Sequence, residues 1–199
     1  MSGFEIKNLA NPLYFEENVL PPHSDHKYYG SEAELASGYS SFKYSLNGLW
    51  HIHVARNLAE RPEGFEGSDY DCRHWDTIAV PAHIQMEGYG KPHYTNTTYP
   101  WDGHEAIVPG ELPQENPVAS YVKYFAVPEG WQDVRISFQG AETALAVWLN
   151  GHFVGYSEDS FTPSDFDLTP YVQAGENKLA VQVFRFASGS WLEDQDFWR

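Results

Sequence analysis

Apolar and polar positions alternate with a period of two through the second half of the chain. Val134, Ile136 and Phe138 alternate with Arg135 and Ser137 over residues 133–138, as a half-buried strand requires. Residues 120–127 predict another strand, with Tyr121, Lys123 and Phe125 facing opposite to Val122 and Tyr124. Residues 141–149 and 153–156 flank Asn150-Gly151-His152, and Asn-Gly tolerates positive φ at both centres of a tight turn, so this is the clearest hairpin. Residues 178–186 alternate again after a turn-like Ala174-Gly175-Glu176-Asn177, and 46–54 and 77–80 predict two earlier strands. Helical periodicity is confined to 31–39, which is interrupted by Gly38. Residues 57–76 are polar and loop-like, and 81–117 are aromatic and punctuated by proline and glycine.

Many short strands, long loops and little helix predict an all-β fold, a β-sandwich or jelly roll. The first 45 residues carry little periodicity and are expected to form an extended N-terminal arm on a partner surface, with simple disorder as the alternative. Composition supports a packed domain, because the 7 Trp, 13 Tyr and 12 Phe in 199 residues supply a large core. The formal net charge of −16 repels phosphate backbones and anionic lipid, so neither nucleic acid nor membrane is an expected partner. No basic segment followed by an apolar run opens the chain, and a lone cysteine, Cys72, allows no internal disulfide. The expected compartment is the cytoplasm.

Two segments concentrate candidate chemistry. Over residues 94–103, aromatics interleave with hydrogen-bonding side chains, which suits the apolar faces and hydroxyl edges of a sugar; the alternative is a loop packing its aromatics onto the sandwich. Over 191–199, the carboxylates of Glu193, Asp194 and Asp196 are framed by Trp191 and Trp198. Such a cluster is solvated, paired with an arginine such as Arg185, or bound to a cation or to hydroxyls. Three weaker features have plain explanations. His51 and His53 share a strand face without further metal-ligand spacing. Cys72 beside Arg73 and His74 reads as a passive thiol. Asn96-Thr97-Thr98 matches a glycosylation acceptor by coincidence in a chain without a visible leader. No phosphate-binding glycine loop, nucleophile elbow or dinucleotide fingerprint is present.

Taken in order, the motifs form a series: Leu46-Asn47-Gly48-Leu49-Trp50, then Val80-Pro81-Ala82-His83-Ile84-Gln85-Met86-Glu87-Gly88-Tyr89, then residues 94–100 and Glu115-Asn116-Pro117-Val118. Val147-Trp148-Leu149-Asn150-Gly151, Val154-Gly155-Tyr156-Ser157, Phe166-Asp167-Leu168-Thr169 and residues 175–181 follow, and residues 192–199 close it. From about Asn11 onward this resembles the N-terminal part of the glycoside hydrolase family 2 β-galactosidases. The resemblance implies a galactose-binding-domain-like jelly roll over residues 46–199 with the arm at 1–45. It also implies that Arg199 falls inside a motif which the family continues into an immunoglobulin-like domain and a TIM barrel.

By the same resemblance, the complete enzyme hydrolyses terminal β-D-galactosides such as lactose with retention, using two barrel glutamates that this chain lacks, so the piece alone is expected to be inactive. Asn96 matches a galactose-binding asparagine, and Asp196 an aspartate that binds galactosyl hydroxyls and ligates Na+; the rest of the Na+ shell and all Mg2+ ligands lie elsewhere in the parent. Glu193 and Asp194 are read as supporting that loop. The implied partners are the galactoside, the remaining domains and further copies of the full-length protein. One departure is that the family often carries an aspartate where Ser188 stands, in Arg185-Phe186-Ala187-Ser188-Gly189-Ser190, which puts local hydrogen bonding there in question. A free-standing carbohydrate-binding module and a family-2 glycosidase for another sugar are the alternatives.

Overall fold

The structure is a computed structural model that describes residues 3–24, 26–92 and 98–192. Among these, nine strands form two antiparallel sheets: β1 (Glu16–Glu17), β2 (Gly48–Ala55), β3 (Asp76–Val80), β4 (Val118–Ala126), β5 (Arg135–Phe138), β6 (Ala144–Leu149), β7 (His152–Ser157), β8 (Ser164–Asp167) and β9 (Glu176–Phe184). The larger sheet runs β1-β7-β6-β9-β4-β2-β3, and the smaller pairs β5 with β8. The longest ladder joins β4 to β9 from Val118↔Phe184 to Ala126↔Glu176. This is an all-β sandwich, as the alternation predicts.

The pleat sorts side chains onto two cores. Ile52, Tyr121, Val147 and Val181 face the smaller sheet, where Ile136, Phe166 and Leu168 meet them. Val122, Ala146, Trp148, Ala180 and Phe184 face the other way, onto Leu9, Phe65 and Cys72. Every residue of β6 is therefore buried, although a strand in a two-layer sandwich needs only one covered face. Burying each large apolar side chain contributes about 1.5–3 kcal/mol, and here both faces collect it.

The second covering comes from two irregular segments. Phe4 stacks on Tyr156 at 5.0 Å between ring centroids, Tyr14 stacks on the same ring at 5.2 Å, and Leu9 is fully buried. The described part of the first segment thus lies on this chain's own sandwich, and β1 adds to the sheet edge through Glu16↔Ser157. The other cover is the 57–75 loop, which carries Phe65 and Cys72. The Lys178 ammonium, arriving from β9, donates to the carbonyls of Phe65 (2.6 Å), Gly67 (2.7 Å) and Tyr70 (2.5 Å).

The predicted helical stretch is a six-residue helix, Glu32–Ser37, capped by the Ser31 hydroxyl and ended by Gly38 at φ 72°. The Asn150-Gly151 turn has φ 52° and 83° and joins β6 to β7, as its residues predict.

Candidate functional site

The two segments with candidate chemistry meet. Tyr99 and Trp101 from the first stack nearly parallel, at 5.2 Å and 3°. Trp191 from the second meets both edge-on at 4.8 Å, and Phe186 closes the group against Trp101 at 5.5 Å and 90°. Offset and edge-to-face pairs at such distances each add about 0.5–1.5 kcal/mol beyond area burial, so four rings form a firm clamp. Trp101 is buried, while Tyr99 and Trp191 are half-buried. Tyr99 and Trp101, the described aromatics of this loop, therefore pack, as the structural alternative holds, and in packing they join it to Trp191. Asn96, Asp196, Glu193 and Asp194 lie outside the described residues; Asn96 is three positions before Tyr99, and Asp196 five after Trp191.

The turn leading to Trp191 is a 3₁₀ helix, Ser188–Trp191. Ala187 N–H donates to the Ser190 hydroxyl at 3.1 Å, and Ser190 N–H returns to the Ala187 carbonyl at 3.1 Å. Beneath it lies Glu158, buried at 7% exposure. One carboxylate oxygen accepts from Tyr156 OH at 2.6 Å, and the other from Ser188 Oγ at 2.7 Å and Gly189 N–H at 2.9 Å. Burial pushes the Glu158 carboxyl above its ordinary range, against the pull of these three donors. Sequence reasoning does not single out Glu158; its only signal there is a carboxylate directly after an apolar strand.

Of the weaker features, Asn96-Thr97-Thr98 falls partly outside the described residues, while the two histidines and the cysteine are packed side chains. His51 packs edge-on against Tyr124 and His53 tilts over Trp75, and among the described residues no group of three His, Cys, Asp or Glu gathers to hold a metal. Cys72 is fully buried, and burial raises its thiol pKa, which makes an inert side chain. Arg185 lies over the Phe186 ring at 5.3 Å.

Likeness to solved structures speaks first to the class of fold. The sandwich overlays on 71% of this chain in a crystal structure of Bacteroides uniformis β-glucuronidase, with TM-score 0.51 and 19% identity over 14% of that chain. It overlays equally, at TM-score 0.51 and 22% identity, on a glycosyl hydrolase family 2 member from Bacteroides cellulosilyticus, covering 71% of this chain and 17% of that one. These establish the all-β sandwich as a fold used in large glycosidases.

Sequence likeness is more specific. Residues 43–199 match the family described as glycosyl hydrolases family 2, sugar binding domain, and the chain belongs to that family. It is 57% identical to a β-galactosidase of Halalkalibacterium halodurans over 93% of this chain and 19% of that protein. It is 48% identical to one from Lactobacillus delbrueckii subsp. bulgaricus over 96% and 19%, and 47% identical to a β-galactosidase large subunit of Leuconostoc lactis over 96% and 33%. The chain thus spans about one-fifth to one-third of the length of these curated relatives.

Proposed function

We propose that this chain is the sugar-binding domain of a retaining β-galactosidase acting on terminal β-D-galactosides such as lactose, and that it completes the galactose pocket with Asn96 and Asp196. The observation that supports this most is the clamp of Tyr99, Trp101, Trp191 and Phe186. It holds together the two segments that lead into those residues, which are otherwise 100 positions apart. The Asn96 amide donates to and accepts from sugar hydroxyls, and the Asp196 carboxylate accepts from them. Neither breaks a bond. Each orients the sugar, and orientation supplies a large share of barrier reduction.

Asp196 also has the right atoms for Na+, a hard cation that takes oxygen donors. In this reading the chain contributes one arm of the Na+ site, and the remaining oxygen ligands come from other domains of the parent. A bound sodium ion would supply a fixed positive charge beside the sugar hydroxyls. The two carboxyl groups of a retaining glycosidase, about 5–5.5 Å apart, and any Mg2+ ligands are assigned to other domains of the parent, working in the cytoplasm as an oligomer.

Expressed with the downstream part of its own reading frame, the protein is expected to release nitrophenol from nitrophenyl β-D-galactoside, and the 199-residue chain alone to release none. In the longer protein, Asp196→Ala lowers kcat/KM roughly 100-fold and weakens the response to Na+. Hydrolysis by the chain alone, freed of host enzyme, overturns the proposal. Unchanged turnover in Asp196→Ala reduces the domain to a structural one, and tight galactose binding by the chain alone in calorimetry makes it a free-standing module.

A further inference from the structure

The tripeptide Leu-Asn-Gly occurs twice, as Leu46-Asn47-Gly48 and Leu149-Asn150-Gly151, and these hold the two Asn-Gly pairs of the chain. Such a pair carries its own chemistry, because a glycine, with no Cβ, lets its backbone nitrogen approach the side chain before it. Once that nitrogen has given its proton to base in the solvent, it attacks the asparagine Cγ. A C–N bond forms, a five-membered succinimide closes, and the side-chain nitrogen leaves as ammonia, taking up a proton from water. Water then adds to one of the two ring carbonyls and breaks that carbon's bond to the ring nitrogen. The product is aspartate or, with an extra methylene in the backbone, isoaspartate. The local sequence being the same, the fold decides which pair reacts.

At Asn150 the fold holds the amide away from this reaction. Both amide protons are engaged, by the Tyr171 carbonyl and by Asn177 Oδ1, and the amide oxygen accepts from Lys178 N–H, each at 2.9 Å. Asn177 is fully buried and cannot turn to release its neighbour. Its Oδ1 also accepts from Gln173 N–H at 2.9 Å, and its amide donates to the Gln173 and Gly175 carbonyls at 3.0 and 3.1 Å. The Asn150 Cγ therefore reaches Gly151 N only after three bonds are broken. Asn47 is held by no such set: its side chain is exposed and makes no hydrogen bond among the described residues, while its backbone N–H donates to Ser45 Oγ at 3.3 Å. Gly48 is the first residue of β2 and pairs with Val80, the last of β3, at the edge of the larger sheet, where strand ends open most easily. We infer that Asn47 is a site of hydrolytic deamidation in the folded protein, and that the fold withholds Asn150 from the same reaction. The product matters at that place. The Trp50 indole N–H donates to the Leu46 carbonyl at 2.8 Å where the N-terminal segment enters the sandwich, and isoaspartate at 47 lengthens the backbone between them.

The test is independent of the proposed function. The 199-residue chain is kept at mildly alkaline pH, folded in buffer or unfolded in urea, and aspartate and isoaspartate at positions 47 and 150 are followed by peptide mapping. Unfolded, the two asparagines should react at rates within a few-fold of each other, as the shared tripeptide requires. Folded, Asn47 should stay within about tenfold of its unfolded rate, while Asn150, which reacts only when its turn opens, should fall about 100-fold or more below its own. Isoaspartate should accompany aspartate at 47, because the ring opens at either carbonyl. An Asn150 that reacts as fast in the folded chain as in urea, or an Asn47 as slow as Asn150, overturns the inference. Aspartate at 47 without isoaspartate also overturns it, since that product comes from direct hydrolysis of the side chain. The isoaspartate form, once isolated, should show a displaced Trp50 indole N–H resonance by NMR; an unmoved resonance overturns the effect on the junction between the N-terminal segment and the sandwich.

Discussion

Gly155 shows how much one position constrains. A Cβ built there lies 2.5 Å from two ring carbons of Phe166 and 2.7 Å from the Glu17 carbonyl oxygen, so the strand, the opposite sheet and the N-terminal segment converge on a missing methyl. Gly155→Ala is expected to lower stability by about 1–3 kcal/mol, the usual cost of overpacking, and to lower the urea midpoint accordingly. An unmoved midpoint means that Phe166 and the backbone at Glu17 both yield freely. The sequence displays Gly155 inside a motif without saying what approaches it, because close approach is a property of partners distant in the chain. The same holds for Lys178 and Glu158. Lys178 reads as an ordinary polar position of an alternating strand, yet burial lowers its pKa while three loop carbonyls satisfy its ammonium. His51 and Cys72, by contrast, are legible as passive, since neither has a partner set at suitable spacing.

At the scale of elements, legibility follows side-chain chemistry. Strands rich in β-branched and aromatic residues are visible with errors of a few positions at their ends. The β8 strand, Ser-Asp-Phe-Asp, and the two-residue β1, Glu-Glu, are not, because polar sequences of that length carry no period and are strands only through their neighbours. The β6–β7 hairpin is the most legible element, and its turn does more than its φ values suggest. The Asn150 amide donates to the Tyr171 carbonyl and to Asn177 Oδ1, and its oxygen accepts from Lys178 N–H, each at 2.9 Å. Asn150→Ala forfeits these bonds and places an alanine in left-handed backbone, so a loss of about 2–3 kcal/mol is expected in urea unfolding. A loss below about 1 kcal/mol would show that water replaces the side chain at no cost.

For the whole molecule, the charge of −16 is a property that no single contact cancels. Screening of that self-repulsion by salt, with a Debye length of about 10 Å at 0.1 M, should raise the thermal midpoint of the chain by a few degrees between low and moderate ionic strength. NaCl and KCl should act alike, because the effect is one of ionic strength; a rise with NaCl alone would instead indicate specific Na+ binding by the isolated chain. The global fold is legible because alternation and turn signals agree, whereas the second core is not, because its cover comes from segments without periodicity. The aromatic clamp has one more consequence, an optical one. Two indoles whose rings lie 4.8 Å apart at 62° share their excited states, so Trp101 and Trp191 form an exciton-coupled pair whose circular dichroism couplet reports their mutual angle. The chain therefore carries its own gauge of whether the two loops are joined, readable without a label and before any substrate is added.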